Sequence, residues 1–377
     1  MARSRKSNQA IDLSARSFWP KSTELVGMEF TIRSPTDCAL YPQYTIGLHA
    51  WFLDQIRQLD PELSAYLHDG ESEKSFSLSG LSGQFVSHSQ TLQLLAGQPY
   101  RWGVSGFSKP TVEGLARWLR QLPDEISLKN APLQIDSVRL AQPPMTYTKL
   151  LRQGKQASGS VSLSFTSPTS FRRKGHHLPL PWPRNVFHSY LRRWNHFASK
   201  PADPDAFLAW VDDYVMIQRH QLESVKVAAG KRGSVTGFVG AVTYGLDRRA
   251  ADQPEFQALF YALTQLAPYC GTGHKTPFGL GETQPGWQSD RAAPEVPSMQ
   301  QVLAERIDEL TKLFAAQRKR QGGSRAKDTA EKWATILARR EQGDSLQDIS
   351  DEMQLPYETA KTYSKLARRA AQESHSP

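Results

Sequence analysis

The stretch Tyr269-Cys-Gly-Thr-Gly-His-Lys-Thr-Pro-Phe-Gly-Leu-Gly-Glu-Thr283 places four glycines, a His and a Lys in one short run. Glycines at 271, 273, 279 and 281 let the backbone take positive φ and approach a ligand closely. Consecutive exposed N–H groups, with His274 and Lys275 among them, then make an anion-binding concavity. Upstream, Pro254–Ala267 reads as a helix with Pro254 in its first turn; downstream, Phe278–Thr283 reads as a short extended segment. A dinucleotide fingerprint needs the opposite order, strand before the glycines and helix after, and a P-loop needs Gly directly before Lys-Thr, where His274 intervenes. The run therefore supports neither ATP nor NAD, and no cofactor is expected.

The same alternation of helix and strand runs through the chain. Thr23–Ile32 alternates as a half-buried strand, and Thr45–Leu59 carries Ile46, Leu48, Phe52, Leu53 and Ile56 at helical spacing. Asp60-Pro61 ends that helix and starts a short second one, Glu62–Leu67. Ser75–Ser79, Thr91–Leu95 and Tyr100–Val104 read as strands, Thr111–Leu122 as a helix and Leu133–Leu140 as a strand. This is the order of a ferredoxin-like β-α-β-β-α-β unit. A second unit follows Pro143-Pro144: strand Ser160–Phe165, helices Pro183–Ala198 and Asp205–Val215, strands Gln218–Val227 and Ser234–Tyr244, then the helix and strand that bracket the glycines. The expected fold is α+β, two tandem ferredoxin-like (RRM-like) domains followed by a small all-α helix-turn-helix domain. The expected divisions are a flexible N-terminus over 1–22, domains over 23–143 and 144–290, a linker and long helix over 291–326, and the helical domain over 327–377.

A chain of 377 residues has room for two or three domains, at ~100–200 residues each. Its 39% hydrophobic residues suffice for packed cores, and a net charge of +9 favours polyanions, nucleic acid before membrane. Two cysteines, Cys38 and Cys270, make neither a disulfide framework nor a Cys-based zinc site. With no apolar leader and no membrane-length run, the expectation is a cytoplasmic protein. Carboxylates are scattered, against the converging set that two-metal nucleases need; Asp212-Asp213 reads as a solvated helix face, and His176-His177 lacks a third ligand, so no metal site is expected.

The order helix, Gly-x-Gly-x5-Gly-x-Gly, strand resembles the glycine-rich loop of the CRISPR repeat-RNA endoribonucleases, the sixth CRISPR-associated protein family. A second block carries the same resemblance: Asp60-Pro61, Leu63, Leu67-His68, Lys74 and Phe76 match that family's Asp/Asn-Pro-x-Leu-x-x-x-Leu-His followed by a Lys before a Phe-containing strand. The resemblance spans roughly residues 23 to 285 and implies two tandem ferredoxin-like units, CRISPR repeat RNA as substrate, and other CRISPR effector subunits as partners. It implies proton transfer by His68 and charge stabilisation by Lys74. His49 lies near the start of the first helix, where several members place an essential His; where others carry a Tyr on that helix this chain has Leu53, which leaves open whether His49 or Tyr44 takes that role.

The implied chemistry needs few groups. RNA carries its own nucleophile, so an enzyme aligns the 2′-OH with the adjacent phosphate, removes its proton and protonates the leaving 5′ oxygen. Histidine suits either transfer, and a Lys offsets the charge of the transition state. The expected products are a 2′,3′-cyclic phosphate and a 5′-OH, formed without metal. RNA contacts are expected from Gly271, Gly273, His274, Lys275, Gly279 and Gly281, and from Arg172, Arg173 and Lys174 beside Phe171, where base stacking and backbone contact combine. Arg192, Arg193 and Arg248-Arg249 are candidates to extend the basic face. The competing reading is a catalytically silent RNA-binding subunit or a DNA-binding regulator.

The regulator reading rests on the C-terminal segment. Gln300–Gln317 reads as a long helix with Val302, Ile307, Leu310 and Leu313 on one stripe, and Gln321–Arg325 as a flexible break. Asp328–Arg340, Ser345–Met353 and Tyr357–Ala371 follow as three helices, and the last two resemble a helix-turn-helix. In that resemblance Thr359, Lys361, Thr362 and Lys365 face a groove of duplex DNA; docking to a partner protein is the other reading.

Overall fold

The computed structural model describes residues 11, 13, 17–41, 44–68, 73–88, 91–129, 131–173, 176–228, 234–288, 299–317, 324–342 and 344–373. Most of the expected flexible N-terminus, residues 291–298 of the expected linker, residues 321–323 of the expected break and Lys174 lie outside them.

In chain order the first half contains β1 (Leu25–Arg33), β2 (Cys38–Leu40), α1 (Tyr44–Leu59), α2 (Pro61–His68), β3 (Phe76–Ser82), β4 (Val86–His88), β5 (Thr91–Leu94), β6 (Tyr100–Gly106), α3 (Lys109–Leu119), β7 (Glu125–Leu128) and β8 (Ala131–Met145). Strand β1 is buried along most of its length and takes the centre of an antiparallel sheet ordered β3-β6-β1-β8-β7. Helices α1 and α2 carry the chain from β1 to β3, and α3 carries it from β6 to β8. The ferredoxin-like pattern is therefore present, with β7 added at one edge and a small β2-β5-β4 sheet beside it. Leu48, Phe52 and Ile56 of α1 are fully buried, each contributing about 1.5–3 kcal/mol of transfer free energy. Phe30, Trp102, Trp118 and Phe52 pack with ring centroids 5.3–5.4 Å apart, so the sheet and the helices above it share one aromatic core.

The second half repeats the order. It contains α4 (Tyr147–Gly154), β9 (Val161–Thr169), β10 (Phe171–Arg173), β11 (His176–Leu178), α5 (Pro183–Phe197), α6 (Pro204–Tyr214), β12 (Val215–Ala228), β13 (Ser234–Leu246), α7 (Pro254–Cys270) and β14 (Thr283–Pro285). Its sheet is ordered β12-β13-β9-β14, the same arrangement of first, second, third and fourth strands as in the first unit. The units are joined by side chains as well as by chain. Tyr147 donates to the Phe107 carbonyl at 2.6 Å and Tyr269 to the Pro143 carbonyl at 2.7 Å, while Leu25 and Phe107 of the first unit pack into the second unit's core.

One sequence expectation shifts here. Phe278–Thr283 is not extended: Thr276–Phe278 makes a 3-10 turn, because Lys275 and Gly279 on either side of it both have left-handed backbone, and the strand starts only at Thr283. The basic run after β9 forms the β10–β11 hairpin, with Arg172 paired to His177 and Arg173 to His176.

The C-terminal unit consists of α8 (Met299–Ala316), α9 (Ser324–Glu341), α10 (Leu346–Met353) and α11 (Tyr357–Glu373). The buried stripe of α8 is Leu303, Ile307, Leu310 and Phe314, with Leu313 partly buried beside it, and it packs on Ala330, Ala334 and Ala338 of α9; the side chain of Val302 lies outside the described residues. Small residues on α9 let the two helix backbones come close. Among the described residues no helix is long and apolar enough to cross a membrane, and Cys38 and Cys270 are free thiols.

A test of this packing lies at Gly154, where α4 ends against α7. An added Cβ would run into the Ala258 carbonyl oxygen of the neighbouring helix. Gly154→Ala is expected to destabilise by about 1–3 kcal/mol through overpacking, read as a lowered urea midpoint with unchanged slope.

Candidate functional site

The glycine loop is held by the second unit and delivered to the first. Its N–H groups are mostly spent on this. Gly271 donates to Ala267, Thr272 to Gly281, His274 to Ser170, Gly281 to Pro168, and Gly273 to the Ser189 hydroxyl at 2.9 Å. The expected row of exposed amides is therefore absent at these positions, and Gly271, Gly273, Gly279 and Gly281 are all buried. Their positive φ values, 66–79°, serve a tight double crossing of backbone instead.

Below the loop lies Arg193. The sequence suggested a place on the basic face; the structure buries it, at 5% exposure, because its position on α5 points under the loop. Its guanidinium donates to the Gly273 carbonyl at 3.1 Å, to the Ser189 hydroxyl at 2.8 Å and to the Thr276 hydroxyl at 3.4 Å. Tyr190 and Thr272 share a 2.6 Å hydrogen bond alongside. Nothing in the local sequence distinguishes Arg193 from its exposed neighbour Arg192.

The outer turn of the loop crosses onto the first unit. The Gly279 N–H donates to the Leu78 carbonyl of β3 at 3.2 Å, and Ser77 donates to the Tyr269 carbonyl at 2.8 Å. A Cβ at Gly279 would sit 3.0 Å from the Gly80 nitrogen, so the two strands of backbone touch. This seats the Phe278 ring on the His49 imidazole, with centroids 4.2 Å apart and planes 26° from parallel. Phe76 lies on the imidazole as well, at 5.9 Å. Phe278 was not singled out from the sequence, although it lies inside the glycine run.

His49 also feels both other expected catalytic groups. Burial, then the charge of Lys74, then that of His68 push its pKa down from the ordinary imidazole value to about 4. Lys74 donates to the Leu67 carbonyl at 3.0 Å, which places the ammonium at the carbonyl end of α2, where a cation is stabilised. His68 is the last residue of that helix and is exposed. The preceding Glu73 is paired with Arg192 of α5 at 3.3 Å, so the segment entering β3 is tied to both units. Thus His49 and Lys74, with His68 beside the Lys74 anchor, gather at the seam under the loop. Tyr44 does not reach in. It is buried, its hydroxyl accepts from the Leu81 N–H at 3.3 Å, and burial raises its pKa to about 12. Leu53 is part of the core.

A second basic group lies on the other side of the loop. The His274 and His177 rings are 6.0 Å apart. Burial first, then Lys275, His177, Arg172 and Arg192, lower the His274 pKa to about 4. Burial and Arg172 lower that of Lys275. The loop and the β10–β11 hairpin thus concentrate positive charge in a half-buried place, which favours an anionic ligand.

Comparison with known proteins bears on the family and the fold. The family model for the CRISPR-associated endoribonuclease Cas6 matches residues 163–283, and that for the CRISPR Cas6 N-terminal domain matches residues 32–143. The CRISPR-associated endoribonuclease Cas6 of Mycobacterium tuberculosis (strain H37Rv) is 24% identical over 148 residues, 39% of this chain and 46% of that protein, so the match spans less than half of the relative's length. Among solved structures, a Cas6 product complex is 26% identical, with a TM-score of 0.54, over 70% of this chain and 99% of the other. A product complex of Thermus thermophilus Cas6 is 24% identical, with a TM-score of 0.56, over 70% and 100%, a likeness of fold.

The depressed imidazole pKa values have a consequence for stability. Between about 4 and the unperturbed value of ~6.5 the unfolded chain binds protons at His49 and His274 that the folded chain does not, so stability present above ~6.5 is lost as pH falls toward 4. The melting temperature is expected to drop between pH 7 and pH 5, and to drop less steeply in His49→Gln, measured by thermal unfolding across a pH series.

Proposed function

Because the chain belongs to the family of CRISPR-associated Cas6 endoribonucleases, we propose that it cuts CRISPR repeat RNA within the repeat by metal-independent transesterification. The observation that carries this reading is the convergence of His49 with Lys74 and His68 beneath a loop ring contributed by the other unit.

The roles follow from the surroundings. His49, held neutral by burial and by neighbouring cations, has a lone pair for the 2′-OH proton. As that proton leaves, the 2′ oxygen bonds to phosphorus and the bond from phosphorus to the 5′ oxygen breaks. His68, exposed at the end of α2, gives a proton to the departing 5′ oxygen. Lys74, fixed by the Leu67 carbonyl, faces the charge that grows on the phosphoryl oxygens. The products are a 2′,3′-cyclic phosphate and a 5′-OH. Phe278 and Phe76 exclude water from the base and keep its ring oriented.

His274, Lys275 and Arg172 would hold the RNA on the far side of the loop, with Arg173 and Lys174 of the same basic run as further contacts, and these contacts would retain the product for delivery to an effector complex. The glycines serve this indirectly, by shaping the loop that presents His274 and Lys275. The second reading, a silent subunit that holds RNA without cutting it, is favoured by one observation: Leu53 fills the helix position where some relatives carry a Tyr, and it is sealed in the core.

End-labelled repeat RNA incubated with the full chain in EDTA separates the two. Discrete cutting to a cyclic-phosphate end is expected, slowed about 10²-fold or more in His49→Ala and in His68→Ala, the range of a lost general acid or base. Cutting by either variant at the parent rate would remove that residue from the mechanism, and tight binding with intact RNA would establish the silent subunit.

A further inference from the structure

The C-terminal helices lie outside everything the RNA chemistry uses. Helix α10 is capped by Ser345, whose hydroxyl accepts from the Asp348 N–H at 3.1 Å, and is closed at its other end by Gln354, which has left-handed backbone with φ 53°. The chain then turns through Leu355-Pro356 into α11. A short turn between two helices, with one residue in that conformation, is the geometry of a helix-turn-helix. Its inner face is closed by Ile336, Ile349 and Met353, with Leu346, Leu355 and Tyr363 packed against them.

Basic side chains outnumber acidic ones on the exposed face of α11. Three acids of α10 and of the turn before it face their own scaffold or the first unit: Asp344 pairs with the buried Arg339 at 2.7 Å, Glu352 lies 3.0 Å from the same guanidinium, and Asp348 pairs with Lys129 of the β7–β8 turn at 2.6 Å; Asp351 is exposed and accepts from Gln347 on its own helix. Helix α11 packs on α8, α9 and α10 through Ala360, Ser364 and Ala367. Its opposite face exposes Tyr357, Lys361, Thr362, Lys365 and Arg368, together with Glu358, whose carboxylate lies 3.6 Å from the Lys361 ammonium. Thr359, expected to face a groove, is half-buried on the scaffold side.

We propose that α11 is a duplex-DNA-binding helix seated in the major groove, making this chain a reader of DNA as well as of RNA. A helix ~10–12 Å across matches the ~12 Å major groove of B-form DNA, whereas the A-form major groove of duplex RNA is too deep and narrow for its side chains. The N-terminal part of such a helix meets the bases, which assigns base contact to Tyr357, Lys361 and Thr362. Lys365 and Arg368, one and two turns later, meet phosphates. The tethers at Lys129 and at Lys226, which pairs with Asp308 of α8 at 2.7 Å, hold the unit by its other side. The proposal stands independently of the RNA-cutting reading, since none of these residues lies at the His49 seam.

The test is selection of bound duplexes from a random DNA library by the full chain, followed by affinity measurements across salt concentrations. A sequence motif is expected. Lys361→Ala should relax the preference at one position of it, while Lys365→Ala with Arg368→Ala should weaken all duplexes alike and lower the slope of log K against log salt by about 1 per lost contact. All these side chains are exposed, so the melting temperature should stay at the parent value, which separates loss of binding from loss of fold. Failure to enrich any duplex, parent affinity in all variants, or preference for structured RNA over duplex DNA would each overturn the proposal.

Discussion

Arg193 carries its charge at 5% exposure, and its guanidinium is satisfied by neutral oxygens: the Gly273 carbonyl and the hydroxyls of Ser189 and Thr276. A buried charge without hydrogen bonds is too costly to keep, so the side chain can stay there only while the glycine loop is closed over it. The loop in turn needs its own inward-facing polar groups matched, which Arg193, Ser189 and the Tyr190–Thr272 pair provide. Each side of this contact stabilises the other. Through it the second unit fixes where Phe278 lies, and Phe278 lies on His49.

The imidazole environment follows from that closure. With the Phe278 ring over it and Phe76 beside it, His49 loses solvent that would stabilise its charged form, and Lys74 and His68 act in the same direction. His274 is treated likewise on the other side of the loop. Both histidines are poised so that a nearby phosphate would favour their protonation, and the surrounding cations would gain a counter-charge. Cations gathered around half-buried imidazoles favour an anionic ligand at these places.

Several elements were legible from local pattern. The apolar spacing of α1, the Pro at the start of α7 and the alternation of β1 each act within a few residues, and the structure has these elements with ends displaced by at most three residues. Helix α4 escaped because eight residues with only Tyr147, Leu150 and Gly154 buried hold barely two turns of periodicity. The three-residue strand β2 is paired by a partner more than fifty residues away, Cys38 opposite Leu94, and nothing local marks it. The glycine stretch reads as a loop, but the extended segment expected from Phe278 is shorter than that: the left-handed residues at 275 and 279 bracket a 3-10 turn.

What the amino-acid order determined by itself is the succession of helices and strands, the doubled ferredoxin-like plan, the basic character, and the small set of residues able to do proton transfer. These depend on side-chain type, on periods of two and 3.6 residues, and on the restricted backbone of Pro and Gly, all properties of near neighbours. Only the tertiary structure decided that Arg193 is buried while Arg192 faces Glu73, that the loop's amides turn inward, and that Phe278 caps His49. Those outcomes depend on which surface a side chain meets across the seam between two units, and burial of that kind is a property of the assembled fold rather than of any stretch within it.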